Sequence, residues 1–157
     1  MWIGVIADTE GELHPRALEV FEGMDFILHC GGIGDPSILL ELSNVAPTSG
    51  VVGAGDTAAE YEPLKSILFQ KFSDVPIFVT HDIGSPRKPY QTVLDVLKDM
   101  EPKALLFGKT RQPFSAAIEK RLWFNPGSAS GGNGEYPATV GILEIDGQAV
   151  RGEIIEL

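Results

Sequence analysis

Cysteine is nearly absent from this 157-residue chain: Cys30 stands alone. A single thiol excludes an internal disulfide and any cysteine-rich zinc site, and it suits a reducing cytoplasm. Basic residues are scarce too. With 12 Lys and Arg against 22 Asp and Glu, the formal net charge is -10, a field that disfavours nucleic acid and anionic membrane surfaces. Long hydrophobic runs are missing: the chain opens MWIGVIADTEGE, with no basic segment before its short apolar run and a carboxylate at Asp8, so neither a signal peptide nor a membrane span is expected. No repeat, charge block or Pro/Gly linker divides the sequence, and its length suits one core, so residues 1–157 are expected to form a single domain. A phosphate-binding P-loop is also excluded. The GKT at 108–110 invites that reading, but the motif needs a glycine five residues before Gly108, where Lys103 stands instead.

What is present is an alternation of short apolar runs with segments of helical period. WIGVIA (2–7), DFILHC (25–30) and TSGVVGAG (48–55) read as strands. Between them, HPRALEVFEG (14–23) and PSILLELS (36–43) read as helices, the second opened by Asp35 as N-cap and Pro36 at N1. SILFQKF (66–72), VPIFVTH (75–81) and ALLFG (104–108) read as further strands, with a helix over 90–100 after Pro89. RLWFNPG (121–127), ATVGILEID (138–146) and QAVRGEIIEL (148–157) follow, and Asp146-Gly147 predicts a hairpin between the last two. Parallel β-α units giving way to antiparallel strands predict an α/β architecture of two packed mixed β-sheets flanked by helices.

In an open α/β sheet, ligands gather where parallel strands end. Those ends read ADTEG (7–11), HCGGIGD (29–35), GAGDT (53–57), THD (80–82) and GKTR (108–111). Their order and spacing resemble the D-x-H, G-D, G-N-x-D, H and G-H-x-H motifs of small phosphodiesterases in the calcineurin-like metallophosphoesterase superfamily. FNPGSAS (124–130) resembles that family's Asn-Pro-Gly-Ser loop, so the likeness spans nearly the whole chain. It implies a sandwich of two sheets and, at its rim, two divalent cations roughly 3.5–4 Å apart held by about seven ligands.

Carried over residue by residue, the implied ligand set is depleted. Asp8 and His81 keep the family's residue types. Glu10 stands for a histidine, Gly32 for the bridging aspartate and Ala54 for an asparagine, although Asp56 of that motif remains; Lys109 and Arg111 stand for the last two histidines. Arginine and a lysine ammonium have no lone pair to give. At 4 Å and an effective dielectric of 20, unit charges interact by roughly 4 kcal/mol, so a lysine facing a dication feels about twice that as repulsion. The expectation is that no metal cofactor is held, and that Lys109 and Arg111 replace the cations by pairing with Asp8, Glu10, Asp56 and Asp82.

Plainer roles stand beside these. His29 reads as a satisfied core histidine, His14 as a surface residue at a helix start, and His81 as a hydrogen-bonding relic. Asp8 reads equally as a loop cap, and the glycines at 31, 32, 53, 55, 131, 132 and 134 as turn residues that, with Lys109 and Arg111, could form a nest for an anion. Three functions follow. The favoured one is a cytoplasmic pseudoenzyme that binds a protein partner, as the family's retromer scaffold subunit implies. The second is a phosphodiesterase using manganese or another divalent metal on Asp8, Glu10, His81 and in part Asp56. The third is a non-hydrolysing sensor of an anionic small molecule through Lys109 and Arg111. A homo-oligomer is compatible with each, since small family members are often dimers or larger.

Overall fold

A computed structural model describes residues 1–57 and 60–157. Among the described residues, ten strands form two five-stranded sheets. The first has the order β10-β9-β1-β2-β3, built from β1 (Trp2–Ile6), β2 (Phe26–Cys30), β3 (Thr48–Val51), β9 (Thr139–Asp146) and β10 (Ala149–Glu156). The second has the order β4-β5-β6-β8-β7, from β4 (Ile67–Phe72), β5 (Val75–Thr80), β6 (Ala104–Leu106), β7 (Phe114–Ile118) and β8 (Arg121–Asn125). β1, β2 and β3 run parallel, as do β5, β6 and β8, while the remaining pairings are antiparallel.

Alternation of side chains across each pleat explains the layering. Ile3, Val5, Leu28 and Cys30 face inward against Ile77, Val79, Leu106 and Phe124 of the second sheet. Ile6 and Ile27 face the other way and pack on Ala17 and Phe21 of α1 (Pro15–Phe21) and on Ile38 and Leu42 of α2 (Ser37–Ser43). On the far side, Phe78, Leu105 and Trp123 cover Val93 and Leu97 of α3 (Gln91–Met100). Gly4 is fixed by this contact between layers, since a Cβ there would come within 2.6 Å of the Phe21 ring.

Three readings need correction. β7 is not signalled by the sequence: its exposures alternate between half-buried and exposed, and small residues dilute the apolar signal of this edge strand. The α2 cap lies one residue later than expected, at Pro36, while the Asp35 carboxylate accepts the Ser37 N–H at 2.8 Å. The strands expected over 48–55 and 121–127 stop at Val51 and Asn125. Beyond those points the chain leaves the sheets to build the rim.

Candidate functional site

The carboxyl ends of β1, β2, β3, β5 and β6 meet at one edge of the sandwich, as do the residues after β8. Two loops dominate there, residues 8–11 after β1 and 109–111 after β6. Asp8, Glu10, Lys109 and Arg111 all have left-handed backbones, with φ of 52, 51, 68 and 58°. Side-chain-bearing residues seldom adopt this conformation and give up about 1 kcal/mol or more each to hold it. The left-handed residues alternate in both loops, and the loops pair residue for residue, 109 with 8 and 111 with 10. The Lys109 N–H donates to Asp8 Oδ2 at 3.2 Å, and the Arg111 guanidinium pairs with the Glu10 carboxylate and donates to Asn133 Oδ1 at 3.2 Å.

Asp8 is the hub of this arrangement and is almost wholly buried. Its Oδ1 accepts from His81 Nε2 at 2.9 Å. Its backbone carbonyl accepts from the hydroxyls of Ser128 and Ser130 at 3.2 and 2.8 Å, and its N–H donates to Gly31 O at 2.9 Å. Asn125 anchors the facing loop, donating from Nδ2 to Gly108 O at 3.1 Å and to Thr110 Oγ1 at 2.9 Å. The sequence likeness at 124–130 assigns these side chains no work; their residue types, two hydroxyls and an amide beside a Pro-Gly turn, are the signal that could have found them.

His81 fills space that glycines leave open. A Cβ on Gly53 would lie 2.5 Å from its Nδ1, and one on Gly31 2.7 Å from its Cβ. At Gly32, where the resemblance implied a bridging aspartate, a Cβ would lie 2.4 Å from Asp8 Oδ1 and 3.2 Å from His81 Nε2. The Asp8–His81 hydrogen bond therefore occupies the place such a side chain would enter.

Asp56 has a different occupation from the one expected. Its Oδ2 accepts the N–H groups of Gly32, Ile33 and Gly53 at 3.1, 3.2 and 2.7 Å, and its Oδ1 accepts that of Gly34 at 3.0 Å. Burial acts to raise its pKa, but the N–H groups of Gly34, Gly53 and Ile33 outweigh it and hold the carboxyl below the usual range. Part of the glycine nest foreseen for an external anion is thus filled by the chain's own carboxylate.

His29 lies at the end of β2 and is fully buried. Thr9 Oγ1 spends its hydrogen on Ile33 O at 2.8 Å, so the 3.0 Å contact with His29 Nε2 requires that nitrogen to donate. Nδ1 accepts from Gly31 N–H at 3.1 Å. This is a neutral imidazole with both nitrogens engaged, and burial pushes its pKa down to about 4 despite the nearby Asp8 and Asp56. His14 caps α1, with Nδ1 accepting from Arg16 N–H at 3.2 Å.

Lys109 departs from expectation. Its side chain is exposed and makes no ion pair among the described residues; only its backbone N–H serves Asp8. Asp82 likewise pairs with no cation there, its Oδ1 accepting the Gly84 N–H at 2.9 Å. Ala54, Thr80, His81, Asp82 and Lys109 line a cleft of about 300 Å³. Among the described residues, no group of three or more His, Cys, Asp or Glu is arranged to hold a metal ion, and no helix is long and apolar enough to cross a membrane.

The family model of the calcineurin-like phosphoesterase superfamily domain matches residues 1–148. A probable metallophosphoesterase of Methanothermobacter thermautotrophicus is 31% identical over 160 residues, spanning 99% of this chain and 92% of that protein. Among solved structures, Vps29 of Chaetomium thermophilum superposes with a TM-score of 0.79 at 14% identity, over 100% of this chain and 97% of its own. An archaeal phosphodiesterase superposes with a TM-score of 0.77 at 24% identity, over 99% and 100%.

Proposed function

Because this chain belongs to the calcineurin-like phosphoesterase superfamily, we propose that it is a member that has exchanged hydrolysis for binding, a scaffold or recognition module on a phosphoesterase frame. One observation carries the reading: the three rim carboxylates that the family's ligand positions retain or substitute, Asp8, Glu10 and Asp56, are already engaged by other protein groups. Asp8 holds His81 and the Lys109 N–H, Glu10 holds Arg111, and Asp56 holds four backbone N–H groups. A carboxylate oxygen pair has about four lone-pair sites, and Asp56 has used that number. With the Asp8 carboxylate as acceptor, His81 Nε2 is the donor and presents no lone pair, which leaves Nδ1 as the ring's one nitrogen able to bind a metal. This donor set does not fit a two-metal centre, and Arg111 adds a charge that opposes one.

The test is elemental analysis of the purified protein together with manganese-dependent hydrolysis of a chromogenic phosphodiester. The expected result is well under one transition-metal ion per chain and no turnover above background. About two tightly held ions, or turnover abolished by Asp8→Ala, would restore the reading of a working phosphodiesterase. The converse experiment combines Glu10→His, Gly32→Asp, Ala54→Asn, Lys109→His and Arg111→His. It is expected to recover metal uptake, with the carboxylate introduced by Gly32→Asp entering only as the Asp8–His81 hydrogen bond gives way.

A second reading rests on Lys109. Its cationic end is without an ion pair among the described residues and borders the rim cleft, as a sensor of a phosphate-bearing small molecule would require. Phosphate or a nucleotide at ten times its Kd should then raise Tm by about 3–6 °C, and Lys109→Ala should abolish the shift. Indifference to every anion tested leaves the protein-binding reading.

A further inference from the structure

β10 ends the first sheet and, among the described residues, pairs with β9 alone. Its eight residues keep an unbroken register with β9 and include no proline, lysine or bulge, devices that ordinarily stop an edge strand from pairing further. The other edges are shorter and less suited. β3 has Lys65 bridged to its last residue, Val51; β4 presents Lys71 with no acidic residue; β7 carries no charge.

The hydrogen-bonding phase of β10 fixes what it offers. A two-residue turn at 147–148 joins it to β9, so Asp146 and Ala149 form the bonded pair that closes the hairpin, and every second residue after Ala149 also turns its backbone groups to β9. Leu157 keeps that phase, donating to Ala138 O at 2.9 Å. The N–H and C=O groups of Val150, Gly152, Ile154 and Glu156 therefore point outward, where no described strand meets them.

Side chains on this edge are self-complementary. Arg151 and Glu153 are exposed, two residues apart and opposite in charge, while Val150 and Ile154 are half-buried against the core between the sheets. Antiparallel pairing with a second β10 about Gly152 sets Arg151 of each copy opposite Glu153 of the other, and Val150 opposite Ile154, with outward backbone groups meeting at all three paired positions. The nearest registers of the same phase centre on residue 151 or 153. They would oppose arginine to arginine or glutamate to glutamate, so charge selects the register about Gly152. Arg151 retains a donor for this contact: it gives Nε to Glu144 at 3.0 Å and one terminal nitrogen to Asp146 at 3.5 Å, which leaves the other terminal nitrogen. Glu153 pairs with no cation among the described residues. The second sheet ends on the same side at β7, whose central residues Ser115, Ala116 and Ala117 are small and add little bulk against an approaching copy.

We propose that two copies of this chain join antiparallel through β10, continuing the first sheet across a two-fold axis at Gly152. The pairing uses no rim residue, so it stands apart from the question of metal and hydrolysis.

Sedimentation of the full-length protein, with backbone amide exchange followed by NMR, tests this. The expected species has twice the 16.9 kDa chain mass, and its Gly152 and Ile154 amides are protected although they point away from β9. Glu153→Arg sets a second cation against Arg151 at both symmetry-related contacts; it should weaken association about tenfold or more and expose those amides, with far-UV circular dichroism unchanged. The substitution also makes a chain of net charge -10 less negative, so relief of general repulsion would act in the opposite direction. A monomer at NMR concentrations, a dimer whose Gly152 amide exchanges freely, or a dimer indifferent to Glu153→Arg would overturn the proposal.

Discussion

Acidification from pH 6.5 to pH 4 should strip about 3 kcal/mol of folding stability through His29 alone. The residue's pKa is about 4 in the folded chain against an ordinary 6.5. Between those values the unfolded state takes up a proton that the buried imidazole refuses, so the stabilisation is complete above pH 6.5 and is lost as pH falls towards 4. Desolvation is the main cause, and proximity to Asp8 and Asp56 only moderates it. Nor can the residue accept a proton without local rearrangement, because Nδ1 already receives the Gly31 N–H. Urea denaturation at a series of pH values measures the effect, and His29→Gln should flatten the curve across this window while lowering stability at pH 7. A slope unchanged in His29→Gln would assign the acid sensitivity to another group.

Removing the Asp56 carboxylate should be more damaging at neutral pH. Asp56→Ala leaves the N–H groups of Gly32, Ile33, Gly34 and Gly53 without their acceptor. Unsatisfied buried donors cost about 1–3 kcal/mol each where water cannot reach them. With partial hydration a total of about 3 kcal/mol is expected, equivalent to a fall in Tm of about 6–12 °C. Asp56→Asn should recover only a fraction, because its amide hydrogens oppose the same donors. The Asp56 and His29 contributions separate on pH as well. The Asp56 carboxyl is held below its usual range, so its contribution is present above that range and disappears as pH falls through the lowered value, at stronger acid than the His29 window. Calorimetry that finds Asp56→Ala within about 1 kcal/mol of the parent would mean that water has taken over the nest.

Most of the architecture was legible because periodicity and strand ends are written in residue types. β1, β2, β5 and β6 announce themselves as apolar runs, and the residues after them fall at one edge by topology. β7 was hidden because FSAAI carries two alanines and a serine, and an edge strand needs only half its face covered. At the rim, sequence spacing brought out the positions but not the partners. Lys109 and Arg111 look equivalent as cations, yet the backbone turns one side chain to solvent and the other onto Glu10. Asp56 looked like a spare ligand because nothing in GAGDT reveals that the Gly32–Gly34 turn aims its N–H groups at it.

The paired left-handed loops have a mechanical consequence. Asp8 follows a strand of one sheet, whereas His81 and Lys109 follow strands of the other, and Ser128 and Ser130 reach it from the segment that crosses from β8 of the second sheet to β9 of the first. That edge works as a clasp: neither sheet can peel from its neighbour there without releasing one aspartate from all of these contacts together. Opening should therefore begin at the opposite end of the sandwich, and the rim is a firm platform against which another molecule could press.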